Sequence, residues 1–202
     1  VSVRRIIITG NDRTRDEVVR REFRQFEASW YDGEKIRLSR DRVDRLGYFT
    51  EVDVESQEVP GAPDQVDLVI SVKEKPTGSL QLGAGFSSAE KVSFSFAIKQ
   101  ENVFGSGNYL GVDVNTSKYN RTLVFSTTNP YFTQDGISRT IDLYYRTDKP
   151  YEDQGGNYEL VTTGASARFG VPFSETDPVF FGGGLEQTRI KPGTNIPAAY
   201  LV

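Results

Sequence analysis

The chain has 202 residues, a net charge of −4 and no Cys, His or Met, a length that leaves room for one or two domains. Its mildly acidic balance offers no basic surface for nucleic acid. Without Cys there are no disulfides and no thiolate chemistry, and without His there is no Ser-His triad or His-ligated metal site within these residues.

No apolar run reaches the roughly 18 residues that a spanning helix needs. The sequence opens on Val1 and reads as an excised segment, so the lack of a signal peptide is uninformative. Charge is unevenly spread: residues 1–77 hold 14 Lys/Arg and 16 Asp/Glu, and residues 78–202 hold 10 and 12. The change falls between Lys73 and Phe86, where a charged α/β pattern gives way to segments of about ten residues that alternate apolar and polar.

In the first part, Val3 to Thr9 is a short β-branched run closed by the turn cluster Gly10-Asn11-Asp12. Thr14-Arg15-Asp16-Glu17 fits a capping box, and Val19, Phe23, Phe26 and Trp30, spaced four, three and four apart, predict one apolar stripe of a helix packed in the core. A second helix is expected within 34–46, with Ser39 as a starting cap, Val43 and Leu46 inward and Gly47 as a left-handed stop. Phe49 to Glu55 and Val66 to Glu74 read as strands joined by a Pro60-Gly61-Ala62-Pro63 loop. Ile6, Ile8, Val52 and Val69 join the helix residues as the expected core. Arg20 and Glu27 lie seven residues apart, two helical turns, and are expected to project from one side of the first helix, with Arg24 nearby.

This βααββ order, with Leu46-Gly47-Tyr48-Phe49 at its junction, resembles a polypeptide-transport-associated (POTRA) domain. The stretches Arg20-Arg21-Glu22-Phe23-Arg24-Gln25-Phe26-Glu27 and Val59-Pro60-Gly61-Ala62-Pro63-Asp64-Gln65-Val66-Asp67 resemble the last such domain of the BamA family, the central subunits of the bacterial outer-membrane β-barrel assembly machine. The resemblance implies a periplasmic domain over 1–76 that docks a BamD-like outer-membrane assembly lipoprotein through the arginine and glutamate matched by Arg20 and Glu27, with Arg24 beside them.

From residue 77 onward, seven strands can be read by parity. The first sets Leu80, Leu82, Ala84 and Phe86 against Ser79, Gln81, Gly83 and Gly85; the second sets Val92, Phe94, Phe96 and Ile98 against Ser93, Ser95, Ala97 and Lys99. The third carries Leu110, Val112 and Val114, and the fourth is expected to be short, with Leu123 and Phe125. The fifth carries Ile141, Leu143 and Tyr145, the sixth runs from about Tyr158 to Val171, and the seventh is Gly-rich, near Val179 to Arg189. Such a series predicts antiparallel strands of a transmembrane β-barrel, with Phe104, Tyr109, Tyr131, Phe132 and Phe173 as aromatics at one membrane interface. The polar stretch from Asp148 to Asn157 would be a longer loop on the opposite side.

Gly105-Ser106-Gly107 and Asn129-Pro130-Tyr131-Phe132 are similar to turns of BamA-like barrels, which close with about sixteen strands. The segment therefore reads as an α+β POTRA domain fused to an incomplete barrel, 77–202, in the outer membrane of a Gram-negative bacterium. The family implies an insertase that receives unfolded outer-membrane protein clients in the periplasm and templates their strands into the bilayer. The first strand, Gly78, Ser79, Leu80, Gln81, Leu82, Gly83, Ala84, Gly85 and Phe86, would be the client-facing edge. Its glycines weaken pairing by roughly 0.5–1 kcal/mol each relative to Ala. No catalytic residue, metal or cofactor is expected. A polypeptide transport pore of the two-partner-secretion type is the alternative. An enzyme with a barrel anchor is a third reading, but its Gly-x-Ser-x-Gly motif is absent from the sequence.

Overall fold

The computed structural model describes residues 1–89, 91–149, 158–175 and 177–192. They form two compact units: Val1–Thr77 together with Glu101–Gly107, and Gly78–Gln100 together with the described residues from Asn108 onward. The far end of the expected polar loop, 150–157, lies outside the described residues.

In the first unit, strand β1 (Ser2–Thr9) pairs in parallel with β3 (Ala62–Glu74), and β3 pairs antiparallel with β2 (Phe49–Val59), giving the sheet order β1-β3-β2. Helices α1 (Asp16–Arg20) and α2 (Gly33–Arg45) complete the βααββ order. Val3, Ile6, Val18, Val19, Phe23, Val43, Tyr48, Phe49, Val52, Leu68, Ile70 and Val72 make one buried core. On β3 the inward parity belongs to Leu68, Ile70 and Val72, so the expected core residue Val69 falls on the other face and is half-buried. Gly61, at φ +80°, turns the β2–β3 hairpin, and Ala62 and Pro63 already belong to the strand. At φ +77°, Gly47 ends α2 in the left-handed conformation, as its place after Leu46 predicts.

Three local expectations are overturned. Thr14 does not cap α1; its hydroxyl donates to Glu74 Oε1 at 2.5 Å and accepts from Asn102 Nδ2 at 2.8 Å, which leaves Arg15 at the N-cap with no side-chain hydrogen bond. Ser39 does not cap α2; Asp32 does, accepting from the Glu34 and Lys35 amides. Buried inside the helix, Ser39 instead accepts from the backbone amides of Arg24, at 2.7 Å, and Gln25, at 3.2 Å. Those two amides are thereby taken from any helical ladder, so α1 stops at Arg20 and the apolar stripe is not continued. Phe23 still reaches the core, but Phe26 and Trp30 sit on the following loop, 61% and 78% exposed.

The segment Glu101–Gly107 is a working part of this unit. Arg15 N–H donates to Gly105 O at 2.9 Å, Tyr48 Oη–H to Gly107 O at 3.2 Å, and Glu101 N–H to Thr77 O at 3.3 Å. Burial pushes the Tyr48 phenol up from its ordinary pKa, an effect that nearby Glu101 adds to and Arg21 opposes. Only glycine suits position 105: φ is +75°, and a Cβ there would fall on the Arg13 carbonyl oxygen.

The second unit is a seven-stranded antiparallel meander. It comprises β4 (Gly78–Ser87), β5 (Lys91–Gln100), β6 (Tyr109–Thr116), β7 (Asn120–Asn129), β8 (Ser138–Asp148), β9 (Tyr158–Pro172) and β10 (Pro178–Pro192), each hydrogen-bonded to its sequence neighbours. Among the described residues, no helix is long and apolar enough to cross a membrane. The ladder registers carry one apolar face across the sheet: Leu82 opposes Phe96, Phe96 opposes Val114, Val114 opposes Leu123, and Leu123 opposes Tyr145. The opposite face holds Ser95, Asp113, Ser126 and Asp142, with Ser126 donating to Asp142 at 2.5 Å. Strand β7, expected to be short, runs ten residues. At its Thr-rich end the hydroxyls are used within the sheet: Thr127 donates to Tyr109 O at 3.0 Å, and Thr128 meets Thr140 at 3.1 Å.

Candidate functional site

The charged cluster expected on one helix flank is assembled differently. Arg20 ends α1, and Glu27 returns to it from the loop. Arg20 Nη1 donates to Glu27 Oε1 at 3.1 Å, and Arg20 Nε to Asp16 Oδ2 at 2.9 Å. Both partners of the pair also bind β1: Ile6 N–H donates to Glu27 Oε1 at 3.0 Å, while Arg20 Nη2 donates to Ile6 O at 2.9 Å. β1 is an edge strand of its sheet, so the two charges satisfy the outward-facing backbone groups of Ile6. Their side chains remain 41% and 47% exposed, available to a further partner. Arg24 is not joined to Glu27. Its Nη1 donates to the carbonyls of Arg21 and Phe23, at 3.3 and 3.4 Å.

Among the described residues, β4 pairs with β5, in a register from Gly78–Gln100 to Ser87–Lys91. All its residues are exposed, with Leu80, Leu82 and Phe86 at 61%, 74% and 75%. Two glycines of this strand face hydroxyls, Gly83 opposite Ser95 and Gly85 opposite Ser93, and a Cβ added at either would press on the serine oxygen; Gly78 faces the Gln100 side chain. A strand with so little side-chain interlock is held mainly by its ladder hydrogen bonds.

The five aromatics expected at an interface take different positions. Phe104 lies in the first unit, 94% exposed, at φ +52°. Phe132 stacks under Arg139, whose guanidinium carbon is 4.5 Å from the ring centroid. Its ring is 5.9 Å from Phe169, which in turn lies 5.8 Å from Phe181. Tyr131 lies beside Gly136, and Phe173 is 73% exposed. The Tyr109 ring lies over Gly111, the face shared with Asp113 and Asn115. Phe169 lies on the apolar side of its strand, in parity with Ile141 and Leu143, and Phe181, opposite it in the ladder, extends the aromatic cluster.

Two family models match the chain, the POTRA family (surface antigen variable number repeat) over residues 1–75 and the Omp85 superfamily domain over residues 102–201. The chain is 39% identical over 99% of its length to the outer membrane protein assembly factor BamA of Neisseria meningitidis serogroup B, of which it covers 25%. It is 31% identical over 93% of its length to BamA of Buchnera aphidicola, covering 30% of that protein. Among solved structures, BamA from Haemophilus ducreyi lacking POTRA domains 1–3 superposes with a TM-score of 0.80 at 32% identity, over 95% of this chain and 36% of that one. CdiB from Acinetobacter baumannii, at 12% identity and a TM-score of 0.60, over 96% of this chain and 39% of that one, shares the fold alone. The chain spans about a quarter to a third of the length of these curated relatives. A POTRA domain followed by antiparallel strands of an Omp85-type outer-membrane barrel, similar along nearly its whole length to BamA proteins, places the chain in the BamA family.

Proposed function

We propose that the parent protein is an outer-membrane assembly factor that receives unfolded barrel clients in the periplasm and templates their strands into the bilayer. The observation that supports this reading is the loose interlock of β4 with β5, where Gly83 opposes Ser95 and Gly85 opposes Ser93. In hydrocarbon each unpaired amide or carbonyl costs several kcal/mol, so the outer ladder of β4 must be satisfied by another strand. A client strand can fill that role by β-augmentation, and recognition through backbone groups tolerates varied client sequences. This work is non-covalent and uses no catalytic residue. The periplasmic POTRA domain docks an assembly lipoprotein of the BamD kind at Arg20 and Glu27, with Arg24 at the rim. Further POTRA domains precede Val1 in the parent, as the name of the Haemophilus structure suggests for that protein. The apolar sheet face, with Phe132 and Phe173 at its ends, contacts lipid.

The two-partner-secretion reading has weaker support, since CdiB proteins share the fold at 12% and 17% identity. Single cysteines from Ser79 to Phe86 in the full-length parent test the choice. They should crosslink to the terminal strand of a stalled client, whereas cysteines from Val92 to Ile98 on β5, flanked on both sides, should crosslink poorly. Equal labelling of both strands, or unaltered assembly after β4 is locked to the final strand, would overturn templating.

A further inference from the structure

We propose that Arg139, near the start of β8, holds the phosphodiester of a phospholipid in the periplasmic leaflet. The inference rests on the reading that the apolar sheet face contacts lipid, and adds to it the headgroup class and the residue that takes it.

Ladder parity puts Arg139 on that apolar face. It opposes Asn129 on β7 and Phe169 on β9, and Phe169 opposes Phe181 on β10. The next three rungs of the same face, through Ile141, Leu143 and Tyr145, carry no charge from β7 to β10. Charge returns at the rung that joins Arg121, Thr147, Val161 and Arg189. Arg139 and Thr147 are eight residues apart on β8, about 27 Å along the strand and roughly 20 Å of depth at a tilt of about 45°. The apolar band of an outer-membrane barrel is about 25 Å tall, so the two charged rungs fall at its borders. In an antiparallel meander β8 starts at the same end of the sheet as β4, whose first residue Gly78 follows the POTRA unit in the chain. Arg139 therefore stands at the periplasmic border, where an outward arginine costs far less than at the bilayer midplane.

The guanidinium is held in place but not satisfied. Its carbon lies 4.5 Å from the Phe132 ring centroid, so the ring covers one face and leaves the N–H edge open. Among the described residues, no carboxylate or carbonyl accepts from that edge. The Phe132 ring is fixed in advance, since its own N–H donates to Ile137 O at 3.0 Å. Directly across the ladder, Asn129 Oδ1 accepts from Tyr131 N–H at 3.1 Å, and the amide of Asn129 supplies Nδ2 as a second donor beside the guanidinium. Phe132 and Phe181, 46% and 59% exposed, give the adjoining apolar surface for acyl chains.

Chemistry and position select the occupant together. A planar fork of N–H donors stacked on a ring matches two phosphate oxygens at once. On a face whose remaining rungs meet hydrocarbon, the anion present at the border is the lipid phosphodiester. Arg168 supplies the contrast: it lies over Phe180, 5.2 Å from the ring centroid, but its rung partners are Thr140 and Gly182, on the face that also holds Asp142. The same cation on a ring is there turned to the polar side of the sheet.

A bimane fluorophore on Leu143→Cys of the full-length parent, in nonionic detergent micelles, tests the site with lipids brominated at mid-chain. Leu143 is four residues along β8 from Arg139, roughly 10 Å deeper in the bilayer, so a lipid held at Arg139 brings its bromine to the probe. Brominated phosphatidylglycerol should quench at about fivefold lower mole fraction than brominated diacylglycerol, the advantage expected of one basic contact at a membrane surface. Arg139→Gln should erase that advantage, and Arg168→Gln, which removes the same charge from the other face, should keep it. Equal quenching by the two lipids in the unsubstituted site, an advantage that survives Arg139→Gln, or one lost equally in Arg168→Gln would overturn the site. Inorganic phosphate should leave the advantage intact; its loss on adding that anion would overturn the lipid in favour of a free phosphate. No quenching by either lipid would instead remove the reading that this face contacts lipid. Should Arg139→Gln fail to insert, the comparison of the two lipids and the phosphate competition decide without it.

Discussion

Arg20 and Glu27 meet at the backbone of Ile6, each bonding one of its main-chain groups and both bonding each other. A half-exposed ion pair alone is worth little, but one that satisfies a strand edge has a structural role besides the docking role proposed for it. Charge reversal at Glu27 therefore disturbs the domain itself. Glu27→Lys should destabilise the first unit by about 1–2 kcal/mol, since Ile6 N–H loses its acceptor and Arg20 gains a like-charged neighbour. Glu27→Gln keeps an acceptor for Ile6 and should stay within about 0.5 kcal/mol of wild type, while lowering lipoprotein affinity and flattening its salt dependence. Denaturant melts of the domain, with calorimetric titration of the lipoprotein, separate the two effects. Unchanged affinity in both variants would remove the docking assignment.

Residues 1–77 expressed alone should fold cooperatively, because the core from Val3 to Val72 lies wholly within them. They should nevertheless be less stable than the same unit in the parent. Without Glu101–Gly107, Thr14 loses the Asn102 donor, Arg15 N–H loses Gly105 O, and Tyr48 loses Gly107 O. In the isolated piece those groups turn to water, and the cost should be about 1–3 kcal/mol. Hydrogen exchange at the Arg15 amide reports the loss directly, being fast in the fragment and slow in the parent. A non-cooperative melt would show that the core is insufficient by itself.

The strand framework was legible because alternation at period two is imposed by burial on one side, and the parity of Leu80 to Phe86 or Ile141 to Tyr145 leaves no second assignment. Helix starts were not legible, because Thr14 and Ser39 are good caps whose hydroxyls are used elsewhere, by Glu74 and by the Arg24 and Gln25 amides. That diversion also misled the reading of the site. Arg20 and Glu27 do come together, as their seven-residue spacing suggests, but through a reversal after a five-residue helix. Helical periodicity continued past Arg20 would bury Phe26 and Trp30; the hydrogen bonds of Gln25 and Ser39 leave them outside. Contacts between residues 60 or more positions apart, such as Thr14 with Glu74, leave no local pattern in sequence.

Acid should loosen the first unit through Glu74. Burial raises its pKa, but the Thr14 hydroxyl, the Arg13 and Thr14 amides and the charge of Arg13 outweigh that and hold it below its ordinary 4.5. A carboxyl whose folded pKa is depressed binds fewer protons in the folded state than in the unfolded one at the same pH. Its stabilisation is fully present above the unfolded value and is lost as pH falls through the folded value. Asp67, held low chiefly by its hydrogen bond from Arg4, acts in the same direction. Urea midpoints followed from neutrality down through about pH 3 should fall with acid, and Glu74→Gln should flatten part of that slope while Asp67 leaves a remainder. A slope identical in Glu74→Gln and wild type would show that this carboxyl contributes nothing to acid sensitivity.

The pairing of β4 with β5 can be tested at one rung. Gly83 opposes Ser95, and a Cβ at Gly83 would press on the Ser95 Oγ. Gly83→Ala alone gains about 0.5–1 kcal/mol from the restricted unfolded chain but must displace that hydroxyl, and the two effects oppose each other. With Ser95→Ala the obstacle is gone and only the gain remains. The double variant of the full-length barrel should therefore be more stable than the two single changes predict by addition, with a coupling of about 0.5–1 kcal/mol. If the looseness of this rung serves strand exchange, as the templating proposal requires, the double variant should also assemble clients more slowly while remaining inserted in the membrane. Additive stabilities would show that the serine rotates away at no cost. Assembly at the wild-type rate in a demonstrably stiffened rung would separate the glycines from function and leave them as a packing feature of the seam.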